Sequence, residues 1–325
     1  MTTDKEVPTS ATAHPAVVSE ARRTGGWVRR EIAALDPEVD YERIVQLMAN
    51  YQFTEFSVNF GYTIGFHYNV VPSPGSEAIV GTGEAERRPQ TRFFDTARYL
   101  FGWQFQGLSD PTTLESIERV NMMHDHLAKR FPASFEKNED FIYPLVVLMT
   151  QGDRMRDIAG APRLTRNQQV ALHHFWRDVS LRMRGSHGPL VDFPASYEDA
   201  ERFAEEFESR NWPETPNGRT VSELFIDQFN TKYLPRFLHP LGRAAVLTFV
   251  TEQVRTRHQL APVSPALMAL TRIIFRTLFF LGDHAPEPKI PLSEVFASDK
   301  FQERYKQTRT AESAARPPRE RPAES

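Results

Sequence analysis

Apolar residues recur every three or four positions along most of this chain, which is the spacing of helices that bury one face. The spacing predicts helices near residues 40–57, 92–106, 110–131, 165–183, 196–207, 220–233, 240–259 and 265–281. Only residues 66–71 alternate like a strand, and that stretch is too short for a sheet. We therefore expect an all-α fold, a single domain of roughly eight to ten helices over residues 21–302.

The two ends of the chain show no such spacing. Residues 1–20 are polar, and residues 303–325 are rich in charge and proline. Neither segment can bury enough apolar surface to offset the entropy of ordering it, so we expect both to be disordered. Residues 1–20 also lack the apolar core of a signal peptide, which favours a cytoplasmic protein.

The most apolar window, Pro265–Leu281, is about one helical turn shorter than a membrane span. It also carries Arg272 and Arg276, which are costly inside a bilayer. Ser264 is a good N-cap residue and Pro265 suits the first helical turn. We therefore expect a capped interior helix here, and no membrane span.

Composition excludes several kinds of chemistry. The chain has no cysteine, which excludes disulfides, thiolate nucleophiles, cysteine-ligated haem and iron–sulfur clusters. The formal net charge is -3 and no long basic block occurs, so nothing indicates a nucleic-acid partner. Any metal or haem would have to be held mainly by histidine and carboxylate side chains.

His124 is the most informative single residue. It lies in a predicted helix that begins with Asp110 as N-cap and Pro111 at the first position, and that ends before Pro132. The apolar residues that share its face are Leu114, Ile117, Val120, Leu127, Ala128 and Phe131. An inward-facing imidazole must be hydrogen-bonded, bound to a metal, or costly. The ordinary alternative is a core histidine that is bonded to a backbone carbonyl.

A second group of polar side chains lies on the preceding predicted helix. Arg92, Thr96, Tyr99 and Trp103 fall on one stripe of that helix. A guanidinium group beside hydroxyl and aromatic groups could hold a carboxylate or a phosphate, because it donates two parallel hydrogen bonds to such anions. The alternative is a surface arginine that pairs with a nearby glutamate, beside an aromatic ring that only packs.

Other residues that could carry chemistry have simpler explanations. His126 lies two positions from His124, so their side chains diverge on a helix and cannot bind one ion; we expect His126 to be solvated. Met122–Met123 is expected to fill the core. Glu77 and Glu84 lie in a glycine-rich stretch that is expected to be a loop, where both would be solvated.

Taken together, these segments resemble the MpaB-like and rubber (latex-clearing) oxygenases. The resemblance rests first on Arg92-x-x-x-Thr96 and on Ile117-Glu118-Arg119-Val120-Asn121-Met122-Met123-His124. Further segments resemble the MpaB-type branch, at residues 34–44, 81–84, 175–183 and 193–199. The resemblance covers about residues 25–285 and depends on the order and spacing of these motifs rather than on any one of them.

The resemblance implies an all-α fold with a globin-like core that binds b-type haem. It implies that His124 is the proximal ligand of the haem iron through Nε2, with the other ring nitrogen held by a carbonyl or a carboxylate. Arg92 and Thr96 would be the polar pair near the haem, where they would serve in catalysis or hold the propionates. In two respects the chain departs from the rubber oxygenases: Asp95 stands where they are expected to have lysine, and the distal carboxylate base has only Glu77 or Glu84 as weak counterparts.

By the same resemblance, we expect a haem b-dependent oxygenase that cleaves a carbon–carbon double bond in a hydrophobic, possibly isoprenoid, substrate. Its partners would be that substrate, dioxygen and, where a reductase is needed, an electron donor. Three alternatives stay open: a haem-dependent hydroxylase, desaturase or coupling enzyme of a natural-product pathway; a non-catalytic haem protein that senses or stores a gas; and an all-α binding module in which His124 is structural. The sequence leaves the oligomeric state open.

Overall fold

The computed structural model describes residues 25–315, which form sixteen α-helices and one short β-hairpin. The helices are α1 (Trp27–Ala34), α2 (Tyr41–Tyr51), α3 (Glu55–Asn69), α4 (Ser73–Thr82), α5 (Glu84–Arg87), α6 (Pro89–Gln106), α7 (Pro111–Arg130), α8 (Glu139–Ala159), α9 (Arg166–Ser180), α10 (Tyr197–Ser209), α11 (Pro216–Tyr233), α12 (His239–Thr248), α13 (Glu252–Arg257), α14 (Pro265–His284), α15 (Leu292–Ala297) and α16 (Asp299–Ala314). The antiparallel strands β1 (Arg184–Gly185) and β2 (Gly188–Pro189) form the hairpin. The all-α prediction is confirmed, and the helices outnumber the prediction partly because two predicted helices are each split in two.

Helix α3 lies at the centre of the fold, between α6, α8, α11 and α12. Two glycines let it approach α8 closely: a Cβ added at Gly65 would lie 2.9 Å from Oε1 of Gln151, and one at Gly61 would lie 3.3 Å from its Nε2. The strand-like interpretation of residues 66–71 is wrong, because residues 66–69 complete α3. Aromatic residues there favour strands only locally, and packing against α11 overrides that preference.

Helices α6 and α7 form an antiparallel pair joined by residues 107–110. Trp103 Nε1 donates to Ser116 Oγ at 2.9 Å, and Thr113 Oγ1 donates to Gln106 Oε1 at 3.3 Å. Helix α7 has its predicted limits, since the Asp110 carboxylate accepts from the Thr112 N–H at 2.7 Å and the helix ends two residues before Pro132. The side-chain hydrogen bonds that join the two helices within residues 25–315 all lie near this turn.

The C-terminal helices pack on α6. The predicted disordered tail is wrong over residues 303–314, which continue α16. Phe301 and Tyr305 are buried there, and both rings contact Phe94 edge-on, with centroids at 5.3 Å and 5.7 Å. The predicted disordered segment 1–20 and the last ten residues lie outside the described residues.

Helix α14 corrects the expectation of an interior helix. Only Thr271 and Phe275 are buried in it, and the Ser264 side chain makes no capping hydrogen bond. In the described part of the chain it is the one helix long and apolar enough to cross a membrane by length and composition. Apolar side chains occupy most of the circumference of this helix, which is the pattern of a buried helix. The pattern shows which residues share a face, but it does not show what covers that face.

Candidate active site

His124 lies on the inner face of α7, one and two turns beyond the buried residues Val120 and Ile117. Its ring is flanked by Phe135 and Phe141, with centroid distances of 5.5 Å and 5.7 Å. The Nδ1 atom is buried and has no hydrogen-bond partner among residues 25–315. The expected carbonyl or carboxylate anchor is therefore not present, and the imidazole keeps an unused polar atom against aromatic walls.

The charge state of His124 follows from its surroundings. Burial lowers the pKa of His124 to about 4, and the neighbouring Asp125 carboxylate offsets only part of this shift. The imidazole is therefore neutral near pH 7, which leaves one ring nitrogen with a free lone pair. A neutral, unpartnered imidazole is the form that binds a metal ion.

Other residues of α7 differ from their predicted burial. Leu114 is 42% exposed, and Met122 and Met123 are 57% and 46% exposed, so the methionines do not fill the core as expected. The reason is that α7 buries only the stripe that carries Thr113, Ile117, Val120 and Asn121. His126 is exposed, which confirms the prediction that it is solvated.

The β1–β2 hairpin is fastened to α7 beside His124, a feature the sequence did not reveal. Arg184 binds the carboxylates of Glu118 and Asp125 at 2.6 Å and 2.8 Å. The Asn121 side chain accepts from the Arg184 N–H at 3.2 Å and donates to the Arg182 carbonyl at 3.0 Å. In addition, Ser186 Oγ donates to the carbonyl of Phe135, one of the two rings against His124. These bonds fix the wall around the imidazole.

Arg92 and Thr96 meet at Tyr62 of α3. Arg92 Nη1 donates to Tyr62 Oη at 3.3 Å, and a side-chain hydrogen bond links Tyr62 to Thr96. The guanidinium also lies over the rings of Phe66 and Phe225, 4.8 Å and 5.6 Å from their centroids. Arg92 forms no ion pair with any residue in the range 25–315, so the alternative of a surface arginine–glutamate pair does not describe this side chain.

Tyr62 is the residue of this cluster that sequence reasoning missed. Burial raises the pKa of Tyr62 to about 12, while the Arg92 charge and the Thr96 hydrogen bond lower it in part, so the phenol stays protonated at neutral pH. Its four-residue spacing from Phe66 shows that the two share a face of α3. The sequence alone does not show that this face meets α6.

The structure places His124 separately from this cluster, with no contact between them. Trp103, which belongs to the same predicted stripe of α6, is also separate from Arg92, because it binds Ser116 near the α6–α7 turn. The side-chain hydrogen bonds between α6 and α7 lie near their connecting turn and do not bring His124 and Arg92 together.

The three carboxylates Asp95, Glu84 and Glu77 differ in the partners that they bind. Asp95 accepts from Tyr305 Oη at 2.6 Å, so it is engaged by α16. Glu84 forms ion pairs with Arg87 and Arg88. Glu77 is exposed, as predicted, and accepts only from Ser73 Oγ, at 3.3 Å. The expected glycine-rich loop is wrong, because these two glutamates lie on α4 and α5.

His124 is a single possible metal ligand, which limits the kind of metal group that it could hold. Among residues 25–315 no three histidine or carboxylate side chains gather to hold an ion. A single imidazole suits an iron whose four equatorial ligands come from a porphyrin, as in histidine-ligated haem. Arg92 offers a partly buried cation without an anionic partner, which suits a propionate carboxylate. The residues present therefore fit haem.

Comparison with known families agrees with this arrangement. The family described as "ER-bound oxygenase mpaB/B'/Rubber oxygenase, catalytic domain" matches residues 69–280, about two thirds of the chain. The chain therefore belongs to this family of oxygenases, as the resemblance of its motifs predicted. The matched range contains Arg92, Thr96 and His124. No curated protein matches the chain.

Proposed function

We propose that the protein is a haem b-dependent oxygenase that cleaves a carbon–carbon double bond in a hydrophobic, isoprenoid-like substrate. The observation that carries the proposal is the neutral His124 imidazole, whose buried Nδ1 has no partner in the described part of the chain. A neutral imidazole keeps a lone pair on one ring nitrogen, and an iron would bind that lone pair.

In this proposal each side chain has a separate task. His124 would hold the iron, and Phe135 and Phe141 pack against its ring. Arg92 would bind a propionate, and Tyr62, which contacts both Arg92 and Thr96, fixes the direction of the guanidinium. When bound, the haem supplies the binding and activation of dioxygen.

The surroundings of Arg92 support a hydrophobic substrate. Phe66 and Phe225 stack at 4.6 Å beside it, and Tyr62 contacts Phe93 edge-on at 5.3 Å. These rings make the environment of the cation apolar, and the isoprenoid-like class of substrate rests on the family resemblance. Cleavage breaks one C=C bond and forms two C=O bonds from one dioxygen molecule, so atoms and electrons balance without a further oxidant.

Asp95 is a difference between this chain and the rubber oxygenases, which are expected to have lysine at this position. Its carboxylate accepts from Tyr305 Oη and is thereby directed to α16. The position that is expected to be lysine in rubber oxygenases is therefore taken by a side chain with a structural partner. We infer that Asp95 would not be a ligand of the iron, because its carboxylate is engaged by Tyr305.

Isotope labelling tests the reaction. Purified protein loaded with haem is incubated with squalene, a reductant and ¹⁸O₂, and the carbonyl products are reduced at once with borohydride to alcohols, which keep the carbonyl oxygen, for mass spectrometry. The proposal predicts two carbonyl fragments that each contain one ¹⁸O atom. An intact carbon skeleton that carries a hydroxyl group would instead favour a hydroxylase, and haem-bound protein that consumes no oxygen would favour a gas-binding role.

A further inference from the structure

Helix α14 exposes an apolar face that no other described element covers. Of its twenty residues only Thr271 and Phe275 are buried. The large apolar side chains that stay exposed are Leu270, Ile273, Ile274, Leu278, Phe280 and Leu281. Ile273 reaches 64% exposure and Phe280 56%, values that a soluble protein rarely combines on one helix.

These exposed side chains form one continuous surface, the α14 face, which we define as Leu270, Ile273, Ile274, Phe280 and Leu281. At 100° per residue they fall within an arc of about 120°, on the side opposite the buried Thr271 and Phe275. Ala266 and Thr277 lie in the same arc, and the one titratable side chain in it is His284, at the last position of the helix. The face is therefore apolar from Leu270 to Leu281.

One edge of the α14 face is positively charged. Arg272 and Arg276 are exposed there, and neither makes an ion pair or side-chain hydrogen bond within residues 25–315. The acidic groups near the end of the helix are occupied: Asp283 binds Arg156 with two bonds of 2.7 Å and 2.8 Å, and Glu287 accepts from the Gly26 N–H at 2.8 Å. The edge thus presents two unpaired cations.

A second copy of the chain is a poor occupant for this face. When two such helices pack antiparallel about a two-fold axis, the same edge of each helix lies beside its counterpart. Arg272 of one copy would then approach Arg276 of the other, and like charges at close range are destabilising. An apolar face with two arginines along one edge instead suits a partner that has an apolar interior and a negatively charged surface layer.

The packing of α14 also indicates how it would meet such a surface. Its buried side contacts α8 and α12, with Arg156 of α8 over Phe279 at 4.9 Å, and Phe275 also stacks on Phe60 of α3 at 4.6 Å. A helix held along the domain in this way lies parallel to a membrane rather than across it. Arginines at the edge of an apolar face can reach lipid phosphates while the apolar side chains enter the acyl boundary.

We propose that the α14 face docks the protein onto a lipid bilayer that contains anionic headgroups. Ile273, Phe280 and Leu281 enter the boundary between headgroups and acyl chains, and Arg272 and Arg276 bind the phosphates. The docking does not depend on the proposed reaction, because it involves none of the residues assigned to haem.

Vesicle sedimentation of the full-length, haem-loaded protein tests the docking. The vesicles are phosphatidylcholine alone, or phosphatidylcholine mixed with an equal part of phosphatidylglycerol. We expect binding to the mixed vesicles that salt weakens. Each unpaired arginine near an anionic surface is worth about a fivefold change in affinity, so Arg272→Gln/Arg276→Gln should bind about 25-fold more weakly. Ile273→Asp/Leu281→Asp should lose binding to both kinds of vesicle.

Leu181→Asp is the matched control, because Leu181 is 63% exposed on a different element. It should bind vesicles as the unmodified protein does, and the circular dichroism spectrum of each variant checks that the helical fold is retained. The proposal is overturned if anionic vesicles are not bound, or if the control loses binding equally. It is also overturned if sedimentation equilibrium shows a dimer that Ile273→Asp dissociates, since the α14 face would then be a contact between copies.

Discussion

At the scale of single residues, the chemistry of the site depends on two groups that lack the partners proteins normally supply. His124 has a buried Nδ1 atom without a hydrogen bond, and Arg92 has a partly buried charge without a counterion, within residues 25–315. Each arrangement is costly in the protein alone and becomes favourable when a complementary ligand binds. Under the proposed function, an iron would bind the neutral imidazole and a haem propionate would pair with Arg92.

Replacement of Arg92 tests the second of these groups. Arg92→Ala removes the charge that Tyr62 and Thr96 orient, so we expect oxygen consumption per bound haem to fall about 100-fold, the usual cost of removing a preorganised donor. Haem should be largely retained because His124 is unchanged. Arg98 is the control, since it is exposed on the same helix. Equal turnover of Arg92→Ala and Arg98→Ala would show that Arg92 has no catalytic role.

The lowered pKa of His124 predicts how haem binding depends on pH. The free imidazole of the folded protein takes up a proton only near pH 4, so protons do not compete with iron above that value. Haem affinity should stay constant from pH 7 to about pH 5 and then fall about tenfold per pH unit below pH 4. A titration of haem binding by absorbance checks this, with circular dichroism to confirm that the protein is still folded. A decline that begins near pH 6.5 would indicate an ordinary, solvated histidine as ligand.

At the scale of elements, α16 supports the helix that carries Arg92. The Glu312 carboxylate accepts from the Gln90 and Thr91 N–H groups at 2.9 Å and 3.0 Å and so caps the first turn of α6. Tyr305 binds Asp95 one turn further along. A negative charge at a helix N-terminus is also favourable for the helix dipole. Part of the segment that the sequence predicted to be disordered therefore helps to position α6, which carries Arg92.

This support can be measured as stability. Phe301 is 4% exposed and packs on Phe94, so Phe301→Ala should lower the free energy of unfolding by about 3 kcal/mol, as for other buried phenylalanines. Phe237 is 79% exposed, and Phe237→Ala should change stability by less than about 0.5 kcal/mol. Urea denaturation monitored by circular dichroism compares the two variants. Equal losses would mean that α16 does not pack on α6 as described.

At the scale of the whole molecule, the sequence predicted what local signals determine. Helix α7 has its predicted limits because Asp110, Pro111 and Pro132 act within one or two turns of its ends. The family was identified from motif order, which the family match over residues 69–280 confirms. Those signals placed His124 on an inward face and the pair Arg92–Thr96 on a common stripe.

Features that depend on packing between distant segments were not predictable in the same way. Tyr62 joins Arg92 only because α3 and α6 meet, and α16 forms because Phe94 offers a surface for Phe301. Conversely, α14 has the composition of a core helix but lies at the surface. Apolar periodicity fixes which side chains share a face, and it leaves open whether protein or another surface covers that face.

The most direct test of the account is whether His124 holds haem. The unmodified protein, His124→Ala and His126→Ala are produced with haem supplied, and their absorption spectra are recorded oxidised, reduced and with carbon monoxide. His126 is the control because it lies on the same helix and is exposed. The account predicts a Soret band in the unmodified protein and in His126→Ala, and loss of tightly bound haem in His124→Ala. An unchanged Soret band in His124→Ala, or no band in the unmodified protein, would contradict it.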